Sequence, residues 1–145
     1  MSNLVSEDLR VLVRSRAERL CEYCLMHEDD CLFSHQVDHI ISLKHAGATE
    51  SENLALASII CNRHKGSDVG TILSSGIFTR FFNPRTDCWS DHFRFEADAI
   101  DPLTLIGEAT ACIFKFNDSE RIIERAELAA RGRYPTLEAL GRMRG

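Results

Sequence analysis

The spacing of apolar residues predicts an amphipathic helix near the start of the chain. Apolar side chains recur every three or four residues on one face, and two arginines lie off that face. Ser6 can cap this helix, and the two acidic residues after it suit the positive end of the helix dipole. We therefore predict a helix from Ser6 to about residue 20, followed by a tight turn at residues 21–24. The apolar face would consist of Leu9, Leu12, Val13 and Leu20.

The central part of the chain predicts a strand, a loop, a second strand and a helix. Residues 33–41 mix β-branched and aromatic side chains, which is typical of a strand. Residues 44–52 form a loop, and the apolar residues 53–58 can pair back on the first strand. Residues 59–65 are expected to form a short helix that ends at Gly66.

The last part of the chain predicts another hairpin and three helices. Residues 77–82 and 92–97 are rich in aromatic side chains and flank a turn signal at residues 83–87, so we expect them to pair. Residues 104–116 and 119–131 have helical spacing, Gly132 suits a helix stop, and a short helix begins after Tyr134. The predicted fold class is therefore α+β.

Length and composition suit one soluble domain. The chain has 145 residues, of which 44% are hydrophobic and 27% charged, so residues 1–145 are expected to form a single domain. No apolar stretch approaches the ~20 residues that span a bilayer. The first residues lack the basic start and apolar core of a secretory signal, so a cytoplasmic location and no membrane partner are expected.

The charge balance disfavours a surface that is basic throughout. The formal net charge is −5; residues 1–66 hold seven Lys and Arg against ten Asp and Glu, and residues 67–145 hold ten against twelve. Proteins dedicated to nucleic-acid binding usually carry a basic surface. Any contact with nucleic acid must therefore come from a local patch.

Three polar groups in the central part predict a metal-dependent site. The carboxylate of Asp38 and the amide oxygen of Asn62 are ligands that suit a hard cation, and the imidazole of His39 can take a proton from water. Asp38 and His39 are neighbours on a strand, so one can face a metal and the other the attacking water. Arg63 and Lys65 lie near enough in sequence to contact a phosphate. Taken singly, each polar residue could instead serve only as a turn, cap or packing residue.

These residues resemble the HNH endonucleases, whose core is a β-hairpin and a helix around one divalent ion, the ββα-metal fold. The blocks that carry the resemblance occur in order between residues 19 and 66. The looser matches at residues 82–85 and 89–93 resemble a bacterial subfamily of small stand-alone HNH proteins. The four blocks are Arg19-x-Cys21-x-x-Cys24, Val37-Asp38-His39-Ile40, Asn53-Leu54-x-Leu56 and Cys61-Asn62-x-x-Lys65-Gly66.

The resemblance implies a role for each matching residue. His39 matches the general base, Asp38 a metal ligand, and Asn53 the middle asparagine, which braces the hairpin loop. Asn62 matches the second metal ligand, with His64 as an alternate ligand. The implied cofactor is Mg²⁺ or another divalent cation such as Mn²⁺, Zn²⁺ or Ni²⁺. The implied partner is nucleic acid, double-stranded DNA above all; the oligomeric state stays open.

A structural zinc site is open to two interpretations. Many members of the family carry two Cys-x-x-Cys pairs, whereas here the second pair is Ser58-x-x-Cys61, and serine is a poor zinc ligand. Cys21, Cys24 and Cys61 could recruit His64 or Cys31 as a fourth ligand. Alternatively, zinc has been lost and packing replaces it.

The sequence thus favours an endonuclease that hydrolyses DNA phosphodiester bonds. A non-catalytic nucleic-acid- or protein-binding module on the same scaffold is the main alternative. A nuclease that acts as a toxin or in defence with partner domains is a second one. A thiol redox protein is the weakest, because Cys21 and Cys24 lack a thioredoxin-like βαβ context.

Overall fold

The computed structural model describes residues 4–145. Helices and short antiparallel hairpins alternate along the chain, which confirms the predicted α+β class. The elements in order are α1 (Glu7–Arg16), β1 (Gln36–His39), β2 (Leu54–Ala57), α2 (Ile59–Lys65), β3 (Gly70–Ile72), β4 (Phe78–Arg80), α3 (Trp89–His92), β5 (Phe93–Glu96), β6 (Ala99–Pro102), α4 (Leu105–Ile113), α5 (Ser119–Ala130) and α6 (Leu137–Arg144).

Helix α1 begins where the sequence predicts and ends earlier. The Ser6 hydroxyl accepts the backbone N–H of Leu9 at 3.2 Å, as expected of an N-cap. The helix ends at Arg16 because Glu18 and Arg19 adopt left-handed backbone angles, with φ of 55° and 60°. This turn leads the chain directly into the Cys21–Cys24 segment.

The predicted β-hairpin and helix are confirmed in the central part. β1 pairs antiparallel with β2, with Asp38 opposite Ala55 and His39 opposite Leu54. β1 is shorter than predicted, since residues 33–35 and 40–41 lie outside it. Helix α2 has the predicted bounds; the Ser58 hydroxyl caps its start, and Gly66 ends it with φ of 53°.

The prediction that residues 77–82 pair with residues 92–97 was wrong. β4 pairs instead with β3, and β5 pairs with β6. The chain between β4 and β5 cannot form a simple turn, because Asp87 holds both the Arg80 guanidinium and the Asn83 N–H, and helix α3 follows at once. The tight turn between β5 and β6 is formed by Ala97 and Asp98, both with positive φ.

The three C-terminal helices are confirmed close to their predicted bounds. Thr104 and Thr136 cap α4 and α6, and Gly132 follows the end of α5 with φ of 70°. The main buried cluster joins the Cys21–Met26 segment to the aromatic side chains of the later elements, among them Phe81, Trp89, Phe93, Phe114 and Phe116. Within residues 4–145, no helix is both long and apolar enough to cross a bilayer.

Candidate active site

The hairpin and helix α2 bring the predicted polar residues to one pocket. The pocket has a volume of about 270 Å³, and its lining includes Asp38, His39, Lys44 and Asn62. Asp38 and His39 are consecutive, yet both reach this pocket, because His39 is the last residue of β1 and the chain bends beyond it. Side chains separated by more than twenty residues along the chain therefore meet here.

Asp38 is buried and both of its oxygens are engaged. Tyr23 donates its hydroxyl to Oδ2 at 2.7 Å, and the Lys65 ammonium lies 3.2 Å from Oδ1. Burial raises the pKa of the Asp38 carboxyl above its usual value, and the nearby Lys65 charge and the Tyr23 hydroxyl oppose this shift only in part. The carboxylate is thus held in one orientation at the floor of the pocket.

His39 is half-buried, and its ring is held by a loop residue. Its Nε2 lies 2.9 Å from the Thr49 hydroxyl oxygen. When Nε2 donates to this oxygen, Nδ1 carries a lone pair and can accept a proton. The loop between β1 and β2 therefore holds the ring in one orientation, and the tautomer protonated at Nε2 leaves Nδ1 as the base.

Asn53 braces that loop. Its Oδ1 accepts the Ile41 N–H at 2.8 Å, and its Nδ2 donates to the carbonyls of Ile41 and Ala48 at 2.9 and 2.8 Å. Gly47 is required next to it, because a Cβ there would lie 1.7 Å from the Ile41 oxygen. Asn53 thus contacts backbone rather than the pocket, and it fixes the loop that carries Thr49.

Asn62 presents an oxygen to the pocket from α2. Its Nδ2 donates to Oε1 of Gln36 at 2.6 Å. This bond holds the amide group in one orientation. Its other atom, Oδ1, has no hydrogen-bond partner among residues 4–145. The free oxygen and the neighbouring Asp38 carboxylate form a pair of hard donors.

The other predicted site residues lie elsewhere. Lys65 is 1% exposed and donates to Asp38 and to the His39 carbonyl, so it does not reach the surface where a substrate would bind. Arg63 and His64 face the region of α5, since both line a cavity with Asp118 and Arg121. Burial, with Lys115 and Arg121 nearby, lowers the pKa of the His64 imidazole.

The remaining predicted cluster is a group of three buried thiols. The sulfurs of Cys21, Cys24 and Cys61 lie within 4.8 Å of one another. His64 is outside this group, and Cys31 donates its thiol to the carbonyl of His27 at 3.7 Å. Neither predicted fourth ligand therefore completes a zinc site.

The donors in the pocket suit a hard divalent cation. Mg²⁺ prefers oxygen ligands and commonly keeps several waters, so one carboxylate and one amide oxygen are an adequate protein contribution. Lys65 and Tyr23 do not exhaust the carboxylate, because each of its oxygens offers two lone pairs. Asp38 and Asn62 could therefore hold one divalent metal ion in the pocket.

Sequence reasoning did not find Tyr23, Thr49 or Gln36. Tyr23 lies inside the Cys21-x-x-Cys24 motif, in which only the cysteines carry a recognisable metal-binding pattern. Thr49 lies in a loop without a regular pattern. Each acts through a side chain ten or more positions away, as with Tyr23 and Asp38 or Gln36 and Asn62. Such contacts exist only once the hairpin and helix have packed.

Comparison with known proteins finds a match in the segment that contains the candidate site. The family model described as HNH endonuclease matches residues 21–68, about a third of the chain. Searches of curated proteins and of solved structures gave no match. The matched segment begins at the first thiol, contains the hairpin and α2, and ends just beyond Gly66. Through this segment, the chain is similar to the HNH endonuclease family.

Proposed function

We propose that this protein is an endonuclease that hydrolyses phosphodiester bonds in DNA. The family indicates nuclease-type activity with a divalent metal in general, and the proposal adds substrate and mechanism. The observation that carries it is the convergence of Asp38, His39 and Asn62 on one pocket open to solvent. Double-stranded DNA is the proposed substrate.

His39 is the proposed general base. A water molecule in the pocket gives a proton to Nδ1, while Nε2 stays bonded to the Thr49 hydroxyl. The resulting hydroxide forms a bond to phosphorus, and the bond from phosphorus to the 3′ oxygen breaks. The products then carry 5′-phosphate and 3′-hydroxyl ends, once the departing oxygen has taken a proton from water.

Asp38 and Asn62 are the proposed ligands of Mg²⁺ or Mn²⁺. A bound divalent cation would neutralise charge on the phosphate and on the departing oxygen. Tyr23 and Gln36 orient the two ligands, because each hydrogen-bonds one of them. Lys44, which is exposed at the pocket, supplies a positive charge for a neighbouring phosphate.

The proposal is tested by incubating supercoiled plasmid with the purified protein and Mg²⁺ or Mn²⁺. We expect nicking or linearisation that EDTA abolishes. Asn62→Ala should cleave roughly 10–100-fold more slowly, as expected when a metal ligand or its support is lost. His64→Ala should cleave as fast as the wild type. Cleavage that persists in EDTA, or a loss in His64→Ala equal to that in Asn62→Ala, would contradict this assignment.

A non-catalytic binding module is the second candidate. It is favoured by the net charge of −5 and by the two hydrogen-bond partners that Asp38 has without a metal. Calorimetric titration with Mn²⁺ separates the candidates, since the nuclease must bind the ion in a manner that depends on Asn62. A binding module has no such requirement.

A further inference from the structure

The thiol cluster lacks the donor set of a structural zinc site. Such sites use four nitrogen or sulfur ligands, and here three sulfurs are present. The residue in the fourth position is Ser58, whose Oγ lies 3.9 Å from the Cys24 sulfur and accepts the Cys61 N–H at 3.2 Å. This hydroxyl is already used to cap α2, so the donors do not fit the ion well.

A positive charge nevertheless lies in contact with the cluster. Arg121 extends from α5, is 9% exposed, and places Nη2 3.4 Å from the Cys61 sulfur. Its Nη1 donates to the Phe114 carbonyl at 2.8 Å, and its guanidinium lies over the Phe116 ring at 5.7 Å. Both of these groups are neutral.

Arg121 forms no ion pair with a carboxylate among the residues that the structure describes. Asp118, Glu120 and Glu124 line cavities together with it, but none of them bonds to its guanidinium. A buried charge without a partner is strongly destabilising. Glu124 interacts with this charge only from a distance, whereas the Cys61 sulfur is in direct contact with it. Among the described residues, the sulfur cluster is therefore the group in contact that can balance the charge, with one sulfur as a thiolate.

We propose that Arg121 replaces zinc in this chain, so that the three thiols and one guanidinium form a metal-independent centre. The centre ties α5 to the Cys21–Cys24 turn and to the start of α2, the three segments that supply its members. It is a separate claim from the proposed nuclease activity. Either can fail without the other.

Cobalt binding tests this proposal directly. Thiolate ligands give Co²⁺ a strong charge-transfer absorption in the near ultraviolet, whereas the oxygen donors of the proposed catalytic site do not. We expect no such absorption when wild-type protein, purified in chelator and kept reduced, is titrated with Co²⁺. A full thiolate–cobalt band at one ion per wild-type chain would overturn the proposal.

A double variant supplies the positive control. Ser58→Cys combined with Arg121→Met provides a fourth sulfur and removes the competing charge. We expect this variant to show the thiolate–cobalt band and to melt at a higher temperature when Zn²⁺ is added. The same zinc-dependent rise in the wild type, retained in Asn62→Ala to exclude the catalytic pocket, would contradict the proposal.

The single variant Arg121→Met tests the role of the charge. We expect its melting temperature to fall by roughly 10 °C, because one member of a buried charge pair is lost. Arg131→Met, an exposed arginine just after α5, is the matched control and should melt like the wild type. An unchanged melting temperature in Arg121→Met would overturn the proposal; if that variant does not fold, the wild-type cobalt titration decides.

Discussion

At the scale of single residues, the site depends on groups that hold the reactive side chains. The sequence pattern identified Asp38, His39 and Asn62 as candidates, because their types and order carry the chemistry. It did not reveal that Lys65 is buried against Asp38, since exposure depends on packing. The structure shows Lys65 under the pocket floor, where its ammonium compensates a buried carboxylate.

The Lys65–Asp38 pair predicts a metal-dependent stability. Replacing Lys65 with Met leaves the Asp38 charge without its partner, so the free energy of unfolding should fall by about 3 kcal/mol. Adding Mg²⁺ should restore part of that loss, because a cation at the carboxylate replaces the missing charge. Urea denaturation with and without Mg²⁺ measures both effects, with the exposed Lys44→Met as control. Equal stability of Lys65→Met and wild type would contradict this account of the pair.

The bond between Thr49 and His39 predicts an effect on rate with little effect on stability. Thr49→Val keeps the shape of the side chain and removes the oxygen that accepts from Nε2, so the single-turnover cleavage rate should fall about 10-fold. Thr49→Ser should retain most of the activity. Single-turnover cleavage of a labelled duplex measures these rates. If valine and serine slow the reaction equally, the hydroxyl does not orient the base.

At the scale of elements, local patterns were predictable and pairing choices were not. The order of β1, β2 and α2 follows from short-range signals, namely a serine cap, a glycine stop and two apolar segments. The strands β4 and β5 were each recognised, but their partners β3 and β6 were missed. The turn at Ala97 and Asp98 has positive φ without the glycine that would have indicated it.

Glu28 connects several elements and predicts an acid-sensitive contribution to stability. It accepts from Arg14, Arg19 and the His35 N–H. Burial alone would raise the pKa of its carboxyl, but these three donors outweigh it and lower the pKa below the usual 4.5. The unfolded chain therefore takes up the proton first, and the stabilisation present at neutral pH is lost as the pH falls below about 5.

The Glu28→Gln variant isolates this contribution. It should be less stable than the wild type at pH 7, and the difference should shrink as the pH approaches about 3. Thermal melts across this pH range measure the effect. The exposed Glu127 on α5 serves as a matched control, since Glu127→Gln should follow the wild-type curve. A constant difference at all pH values would show that the charge of Glu28 is not responsible.

At the scale of the whole molecule, the family segment is embedded in a larger buried cluster. Aromatic residues from the segment after β4, from α3, from β5 and from the segment after α4 pack with the Cys21–Met26 turn, and Trp89 donates to the Tyr23 carbonyl at 2.9 Å. The C-terminal half therefore fixes the backbone of the residue that orients Asp38. Composition alone could not predict this arrangement, because it arises from contacts between residues more than sixty positions apart.

The most direct test of the central claim is the rate of plasmid cleavage by His39→Ala in Mg²⁺. Loss of a general base predicts a rate ~10²–10⁴-fold below that of the wild type, with part of it restored by added imidazole. The variant should bind Mn²⁺ with unchanged affinity, because Asp38 and Asn62 remain. Cleavage by His39→Ala at the wild-type rate would contradict the account.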